Sequence, residues 1–226
     1  MFSPNAPLQT IEIDSALHPT AAVIWLHGLG ADGNDFVPVM RELDLSGCRP
    51  IRFLFPTAPA MPVTINGGRV MHAWYDIFST DLARREDESG LRTSQTLVEA
   101  LIAREKTRGI PADRIVLAGF SQGCAMTLQT GLRHSERLAG LMCLSGYLPL
   151  AGAIAAEANN ANQATPIFMA HGRQDTVVGL AHAERSRDML NALDYQIEWH
   201  AYPMQHTLCP EEIEDIGHWL ARVLPK

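Results

Sequence analysis

The five residues 119–123, Gly-Phe-Ser-Gln-Gly, constrain the fold of this chain more than any other segment. An apolar run at 115–118 precedes them, and a stretch with helical spacing of apolar residues at 122–134 follows. Such a pattern also arises by chance in glycine-rich turns, so its weight depends on this context. Here it predicts a buried strand, a sharp turn that exposes the hydroxyl of Ser121, and a packed helix, with the glycines leaving room for the backbone.

The rest of the chain alternates apolar runs with helix-like segments, which is typical of a mostly parallel sheet with helices on both faces. We predict about seven strands, near 9–13, 22–26, 51–55, 115–118, 138–144, 166–170 and 196–202. Helices are predicted at 35–43, 93–108, 122–134, 180–193 and 211–223. The length of 226 residues and the absence of an interdomain linker predict a single α/β domain over residues 1–226.

One long stretch, at about 57–92, breaks this alternation. It is rich in proline, glycine, asparagine and aromatic residues and then becomes charged. Loops of such length in compact domains usually have a functional role. We therefore predict a lid-like loop here.

The bulk properties exclude several classes of partner. The net charge is -7 and no run of lysine or arginine occurs, so we expect no nucleic-acid partner. No stretch approaches the ~18 apolar residues of a membrane span, and the first residues do not show the basic and apolar segments of a signal peptide. The four cysteines are widely separated and form no Cys-x-x-Cys pair, which favours reduced thiols in a cytoplasmic protein.

A nucleophilic serine needs a histidine as base and a carboxylate to orient that histidine. On a strand–turn–helix scaffold of this kind, both follow the serine, acid first, on loops after later strands. His206 meets this requirement because it lies between the last predicted strand and the last predicted helix. The other histidines after Ser121 lie in predicted helices or strands or precede every suitable acid: His134, His171, His182, His200 and His218.

The acid is predicted from the same rule. Asp175 follows the strand at 166–170, whereas Asp188 and Asp194 belong to a predicted helix and its end. We therefore predict Asp175 as the carboxylate that orients His206.

Attack on a carbonyl also requires fixed N–H donors for the oxyanion. The backbone N–H of Gln122, the residue after the serine, is one such donor. We assign the second to the N–H of Leu29, in a loop with three glycines that follows the strand at 22–26. A phosphate-binding turn is the alternative for this loop, but the segment does not complete Gly-x-Gly-x-x-Gly and has no P-loop lysine.

Several further motifs accompany these residues, at 26–34, 56–59, 62–66, 74–77, 144–149, 171–175 and around His206. With 119–123 they cover most of the chain, which resembles the carboxylesterase and acyl-protein thioesterase (lysophospholipase-like) family of α/β hydrolases. The resemblance implies an α/β-hydrolase fold and a triad of Ser121, Asp175 and His206. It also implies an oxyanion hole formed by Leu29 and Gln122.

The same resemblance implies an acyl pocket and a homodimer. The pocket residues would be Met71, Trp74, Ile77, Tyr147 and Val177. For Trp74, a purely structural core position is the alternative.

The chain departs from the family pattern at two positions. Gln205 stands where the family usually has glycine before the histidine, and Thr176 stands where proline usually follows the acid. Gln205 places a bulky polar group beside the base, so the leaving-group preference is expected to differ.

The predicted activity is hydrolysis of short- to medium-chain acyl esters through an acyl-enzyme, without metal or cofactor. Close alternatives are an acyl-protein thioesterase or a lysophospholipase, which use the same chemistry on a small-molecule ester or thioester. A serine peptidase is disfavoured because nothing suggests a binding region for extended peptides. A non-enzymatic binding protein on the same fold is the alternative of another class.

Overall fold

The computed structural model describes residues 8–79 and 85–226. Its strands are β1 (Thr10–Asp14), β2 (Ala21–Leu26), β3 (Ile51–Pro56), β4 (Ala60–Val63), β5 (Arg69–His72), β6 (Ile115–Phe120), β7 (Gly140–Leu144), β8 (Ile167–Gly172) and β9 (Ile197–Tyr202). Its α-helices are α1 (Val37–Glu42), α2 (Glu88–Thr107), α3 (Gln122–Gly131), α4 (Ile154–Glu157), α5 (Leu180–Ala192) and α6 (Pro210–Val223).

Seven strands form one sheet in the order β1-β3-β2-β6-β7-β8-β9. Strand β1 pairs antiparallel with β3, and all other pairs in this sheet are parallel. This mostly parallel sheet with helices on both faces is an α/β-hydrolase fold, as the sequence predicted.

Alternate residues of the central strands feed two separate hydrophobic cores, because successive side chains of a strand point to opposite faces. In β2, Ile24 and Leu26 join the core that includes side chains of α2, α3 and α5. Val23 and Trp25 join the core on the other face, with side chains of α1 and α6. Burial on both faces explains why β2 is apolar throughout, without a polar alternation.

The stretch at 57–92 contains more regular structure than its composition indicates. Strands β4 and β5 form an antiparallel hairpin whose register pairs Ala60 with His72. Helix α2 begins at Glu88, before the predicted start at 93, because the carboxylate of Asp87 caps its first turn by accepting the N–H of Gly90 at 3.0 Å. Part of the predicted lid-like loop, 80–84, lies outside the described residues.

The carboxyl ends of four parallel strands bring the candidate site residues to one edge of the sheet. Ser121 follows β6, Asp175 follows β8, His206 follows β9, and Leu29 follows β2. Ligand sites of open α/β sheets lie at this edge. Of the helices in the described ranges, none is both long and apolar enough to cross a bilayer.

Candidate active site

Ser121 lies on a strained turn between β6 and α3. Its backbone has φ 56° and ψ -115°, a region that costs a residue with a side chain about 1–3 kcal/mol. Both neighbouring glycines are required by close packing: a Cβ at Gly119 would overlap the carbonyl of Gly123, and a Cβ at Gly123 would overlap the carbonyl of Leu26. The turn therefore needs glycine on each side to place the serine above the sheet.

Three side chains from distant segments form one hydrogen-bonded line. The imidazole Nε2 of His206 lies 2.9 Å from Oγ of Ser121, and its Nδ1 lies 2.6 Å from Oδ2 of Asp175. Since an ionised carboxylate only accepts, Nδ1–H donates to Asp175 and Nε2 is free to accept the serine hydroxyl proton. The arrangement has the geometry of a nucleophile, a general base and an orienting acid.

The carboxylate of Asp175 is buried and fully engaged. Its Oδ1 accepts the backbone N–H groups of Val177 at 2.8 Å and Val178 at 2.9 Å. Its Oδ2 accepts from His206 and lies 3.4 Å from Nε2 of the buried His171. These donors hold the carboxylate in the orientation that His206 requires, although its side chain is not exposed to solvent.

The two predicted oxyanion donors lie in the turn at Ser121 and in the loop after β2. Gln122 is the first residue of α3, so its N–H has no acceptor within the helix. The loop that carries Leu29 packs against the turn, since a Cβ added to Gly28 would lie 3.4 Å from Cβ of Ser121. This placement suits an oxyanion hole formed by the N–H groups of Leu29 and Gln122.

The loop after β2 is held by His27, which the sequence reasoning did not single out. The N–H of Ala58 donates to Nε2 of His27 at 2.9 Å, so the other ring nitrogen, Nδ1, carries the proton and donates to the carbonyl of Gly28 at 2.7 Å. Burial lowers the pKa of His27, which agrees with this neutral form.

His171 was excluded from the triad by sequence reasoning, yet it supports the acid. Its Nε2–H donates to the carbonyl of Val178 at 2.8 Å and so closes the turn that carries Asp175, and burial lowers its pKa. Both supporting histidines occur as a His-Gly pair at the carboxyl end of a buried strand, a signal that could have found them.

The five predicted pocket residues occupy different environments. Trp74 is buried in the core, and its backbone N–H donates to the side chain of Gln122. Val177 is exposed, and its backbone N–H donates to the carboxylate of Asp175. Tyr147 is buried and its hydroxyl lies 2.9 Å from that of Tyr75. The two remaining residues, Met71 and Ile77, are half-buried in and after the β4–β5 hairpin.

Two cavities in the described part of the chain are lined by residues other than the triad. A cavity of about 730 Å³ lies at the amino ends of β2 and β3, near Ser15 and Cys48, and no triad residue lines it. A smaller one, of about 130 Å³, lies between Tyr147 and α5. Within the described ranges, no group of three or more His, Cys, Asp or Glu side chains is arranged to hold a metal ion.

Known proteins are similar to this chain in sequence and in architecture. The model of the Phospholipase/Carboxylesterase family matches residues 9–224. The chain belongs to this family. Its membership agrees with the resemblance inferred from the motifs and makes the chain an α/β hydrolase.

Within the Phospholipase/Carboxylesterase family, the chain is similar to fungal proteins named acyl-protein thioesterase 1. It is 39% identical to that of Yarrowia lipolytica, over 95% of this chain and 96% of the other, and 42% identical to that of Neurospora crassa, over 92% and 88%. Among solved structures, acyl-protein thioesterase 2 of Zea mays superposes with a TM-score of 0.85 at 28% identity, over 96% of this chain and 99% of the other.

Proposed function

We propose that this chain hydrolyses acyl thioesters, in the manner of an acyl-protein thioesterase, with Ser121 as the nucleophile. The observation that carries the proposal is the continuous line from Oγ of Ser121 through His206 to the buried carboxylate of Asp175. A serine hydroxyl acquires nucleophilic character only with such a base and orienting acid.

The reaction has two steps. His206 takes the proton of Ser121 as its oxygen attacks the carbonyl carbon, and the N–H groups of Leu29 and Gln122 stabilise the tetrahedral oxyanion. His206 then donates that proton to the leaving thiolate, and an acyl-enzyme ester remains on Ser121. Water, deprotonated by His206, attacks this ester. His206 then returns the proton to Oγ of Ser121 as it leaves, and the carboxylic acid is released. No metal or cofactor takes part in the mechanism.

The relatives favour a thioester over the short- to medium-chain ester that the sequence predicted, because the curated relatives at about 40% identity are named as thioesterases. Ester hydrolysis is the second candidate, supported by the similar structure of esterase PE8, with 25% identity and a TM-score of 0.83. Since both substrates pass through the same acyl-enzyme, the leaving group and the acyl pocket decide between them.

For the pocket, we retain Met71, Ile77, Tyr147 and Val177 as candidate acyl contacts. Trp74 contributes through the face of its ring, because its indole N–H is already bonded to the carbonyl of His27 at 3.0 Å.

The test compares matched oxygen esters and thioesters with acyl chains from acetyl to palmitoyl. We expect kcat/KM to be higher for the thioester of each pair, and the acyl length with the highest value to define the pocket. Higher values for the oxygen esters throughout would favour the carboxylesterase instead.

The role of Ser121 has its own test. Ser121→Ala should lower kcat by several orders of magnitude with an unchanged melting temperature, and it should lose labelling by a fluorophosphonate. Ser135→Ala, which changes an exposed serine on a turn, is the matched control and should behave as wild type. Wild-type protein that hydrolyses no substrate and takes no label would indicate a binding protein and would overturn the proposal.

A further inference from the structure

The short segment 72–75, called the strap below, is bonded to residues on either side of Leu29 and to the side chain of Gln122. On one side it is bonded to the loop after β2. The N–H of Gly30 donates to the carbonyl of His72 at 2.8 Å, and the indole N–H of Trp74 donates to the carbonyl of His27 at 3.0 Å. These two bonds enclose Leu29 in sequence, so the strap fixes the backbone on either side of that N–H.

On the other side the strap is bonded to the side chain of Gln122. The carboxamide oxygen accepts the N–H of Trp74 at 2.8 Å, and the carboxamide nitrogen donates to the carbonyl of Tyr75 at 2.7 Å. The side chain is buried, with 3% of the residue exposed. A buried carboxamide with both its oxygen and its nitrogen engaged is costly to replace, because its partners would lose their hydrogen bonds.

The strap is itself anchored by two further hydrogen bonds. The hydroxyl of Ser94 donates to the carbonyl of Trp74, and the hydroxyl of Tyr75 lies 2.9 Å from that of Tyr147. Both backbone polar groups of Trp74 are therefore bonded, one to α3 and one to α2. Because these bonds limit how far the strap can move by itself, a shift of the turn at Ser121 would be passed through the strap to the loop after β2.

We propose that the side chain of Gln122 and the indole N–H of Trp74 are positioning groups that set the spacing of the two oxyanion donors. The inference rests on the proposed function, since it presupposes acyl transfer at Ser121. The loop after β2 and the turn at Ser121 pack closely at Gly28, where an added Cβ would lie 3.4 Å from Cβ of Ser121. The strap adds directional bonds to both, and catalysis by an oxyanion hole depends on where its donors point.

Gln122 thus has two separable functions. Its backbone N–H is a candidate oxyanion donor that every substitution except proline retains, whereas its carboxamide acts at a distance through the strap. Replacing only the side chain therefore tests positioning without deleting a donor.

The experiment uses Gln122→Met, which keeps the length of the side chain and removes both strap bonds, and Trp74→Phe, which removes the indole N–H. With an activated acetyl ester, we expect each variant to lose about tenfold to a hundredfold in kcat with KM within about threefold, less than the loss from deleting a donor. The double variant should lose less than the product of the two, because both act through one strap.

A second readout is affinity for a trifluoromethyl ketone, which forms a tetrahedral oxyanion with the serine. We expect this affinity to fall in parallel with kcat. Gln129→Met is the matched control: Gln129 is a buried glutamine of the same helix that donates to Gln95 and does not contact the strap. We expect it to keep kcat and ketone affinity within about twofold, even where it lowers the melting temperature.

The proposal is overturned if Gln122→Met and Trp74→Phe both keep kcat and ketone affinity within twofold. It is also overturned if kcat and ketone affinity fall no further in these two variants than in Gln129→Met at an equal loss of melting temperature. Should Gln122→Met fail to fold, Trp74→Phe alone decides. Failure of the proposed function is distinguishable, because Ser121→Ala would then stay active or the wild type would take no fluorophosphonate label.

Discussion

The nucleophile and the base of the candidate triad are held in different ways. Ser121 lies on a turn followed by a helix, α3, in which every residue is buried. His206 lies on a loop in which Gln205 and Thr207 are exposed, and 17% of its own side chain is accessible. The position of the serine is thus imposed by packing, whereas that of the histidine depends on its bonds to Asp175 and Ser121 and on one ring contact with Phe120, with centroids 4.7 Å apart.

The histidine loop, residues 203–209, is supported on the side that faces Gly172 and Gln174. The carbonyl of Met204 accepts the N–H of Gln174 at 3.0 Å, and the loop backbone lies so close to Gly172 that a Cβ there would overlap it. Below the loop, the first turn of α6 contains the buried side chain of Glu212. Substitutions of the glycines at the serine turn should therefore act through the fold, and those on the exposed side of the histidine loop should act on substrate.

The largest effect is expected from Gly123→Ala at the serine turn. The added Cβ would overlap the backbone carbonyl of Leu26, which cannot move without distorting β2. We expect the free energy of unfolding, measured by urea denaturation, to fall by more than about 3 kcal/mol.

The control for this substitution is Gly152→Ala. Nothing lies within 4 Å of a Cβ at Gly152, so the free energy of unfolding should change by less than about 0.5 kcal/mol. A loss below 1 kcal/mol in Gly123→Ala would show that the turn is less constrained than its packing indicates.

An intermediate effect is expected below the histidine loop, at Glu212. Burial raises the pKa of its carboxyl to about 8, while the nearby backbone N–H of Cys209 partly offsets this. The folded protein therefore keeps a proton that the unfolded chain loses near pH 4.5, so stability should fall as the pH rises between about 4.5 and 8.

Glu212→Gln removes this titration. Relative to wild type, the variant should gain about 2.5 kcal/mol in the free energy of unfolding as the pH rises from 5 to 7. Glu214→Gln, in which an exposed glutamate of the same helix is changed, should show no such pH-dependent gain. Equal pH dependence in the two variants would mean that Glu212 is charged in the folded protein.

The strands and the triad could be predicted from the sequence, whereas the contacts that support the triad could not. The seven strands of the main sheet were predicted, with ends that differ by a few residues. For the five inner strands, burial on both faces leaves long apolar runs, whereas the edge strands β1 and β9 are only partly buried. The order serine, acid, histidine selected Ser121, Asp175 and His206, because the parallel topology places the ends of their strands at one edge. Chain order was enough to select three side chains that the structure joins in one hydrogen-bonded line.

The supporting contacts could not be predicted in this way. Gln122 reaches Trp74 and Tyr75 across 48 and 47 residues of sequence, through a segment whose proline and glycine content indicated only a loop. Its course depends on the β4–β5 hairpin, which pairs through backbone groups and leaves no clear pattern of side chains. His27 and His171 were passed over because their partners are backbone groups brought close by the fold.

The smallest effect is expected on the exposed side of the histidine loop. Gln205 precedes the base, and its side chain has no hydrogen-bond partner in the part of the chain that the structure describes. Because it supports neither the fold nor the triad, Gln205→Gly should leave the melting temperature unchanged. It should alter kcat/KM by about threefold, roughly 0.7 kcal/mol, and only for substrates with a bulky leaving group.

Thr207→Gly separates this effect from loop flexibility, since it places a glycine at an exposed position on the other side of His206. If the side chain of Gln205 contacts the leaving group, only Gln205→Gly changes the ratio of kcat/KM between a bulky and a small leaving group. An equal change in both variants would mean that the position of His206 depends on the rigidity of the loop backbone. The base would then resemble the nucleophile, whose position also depends on a rigid backbone.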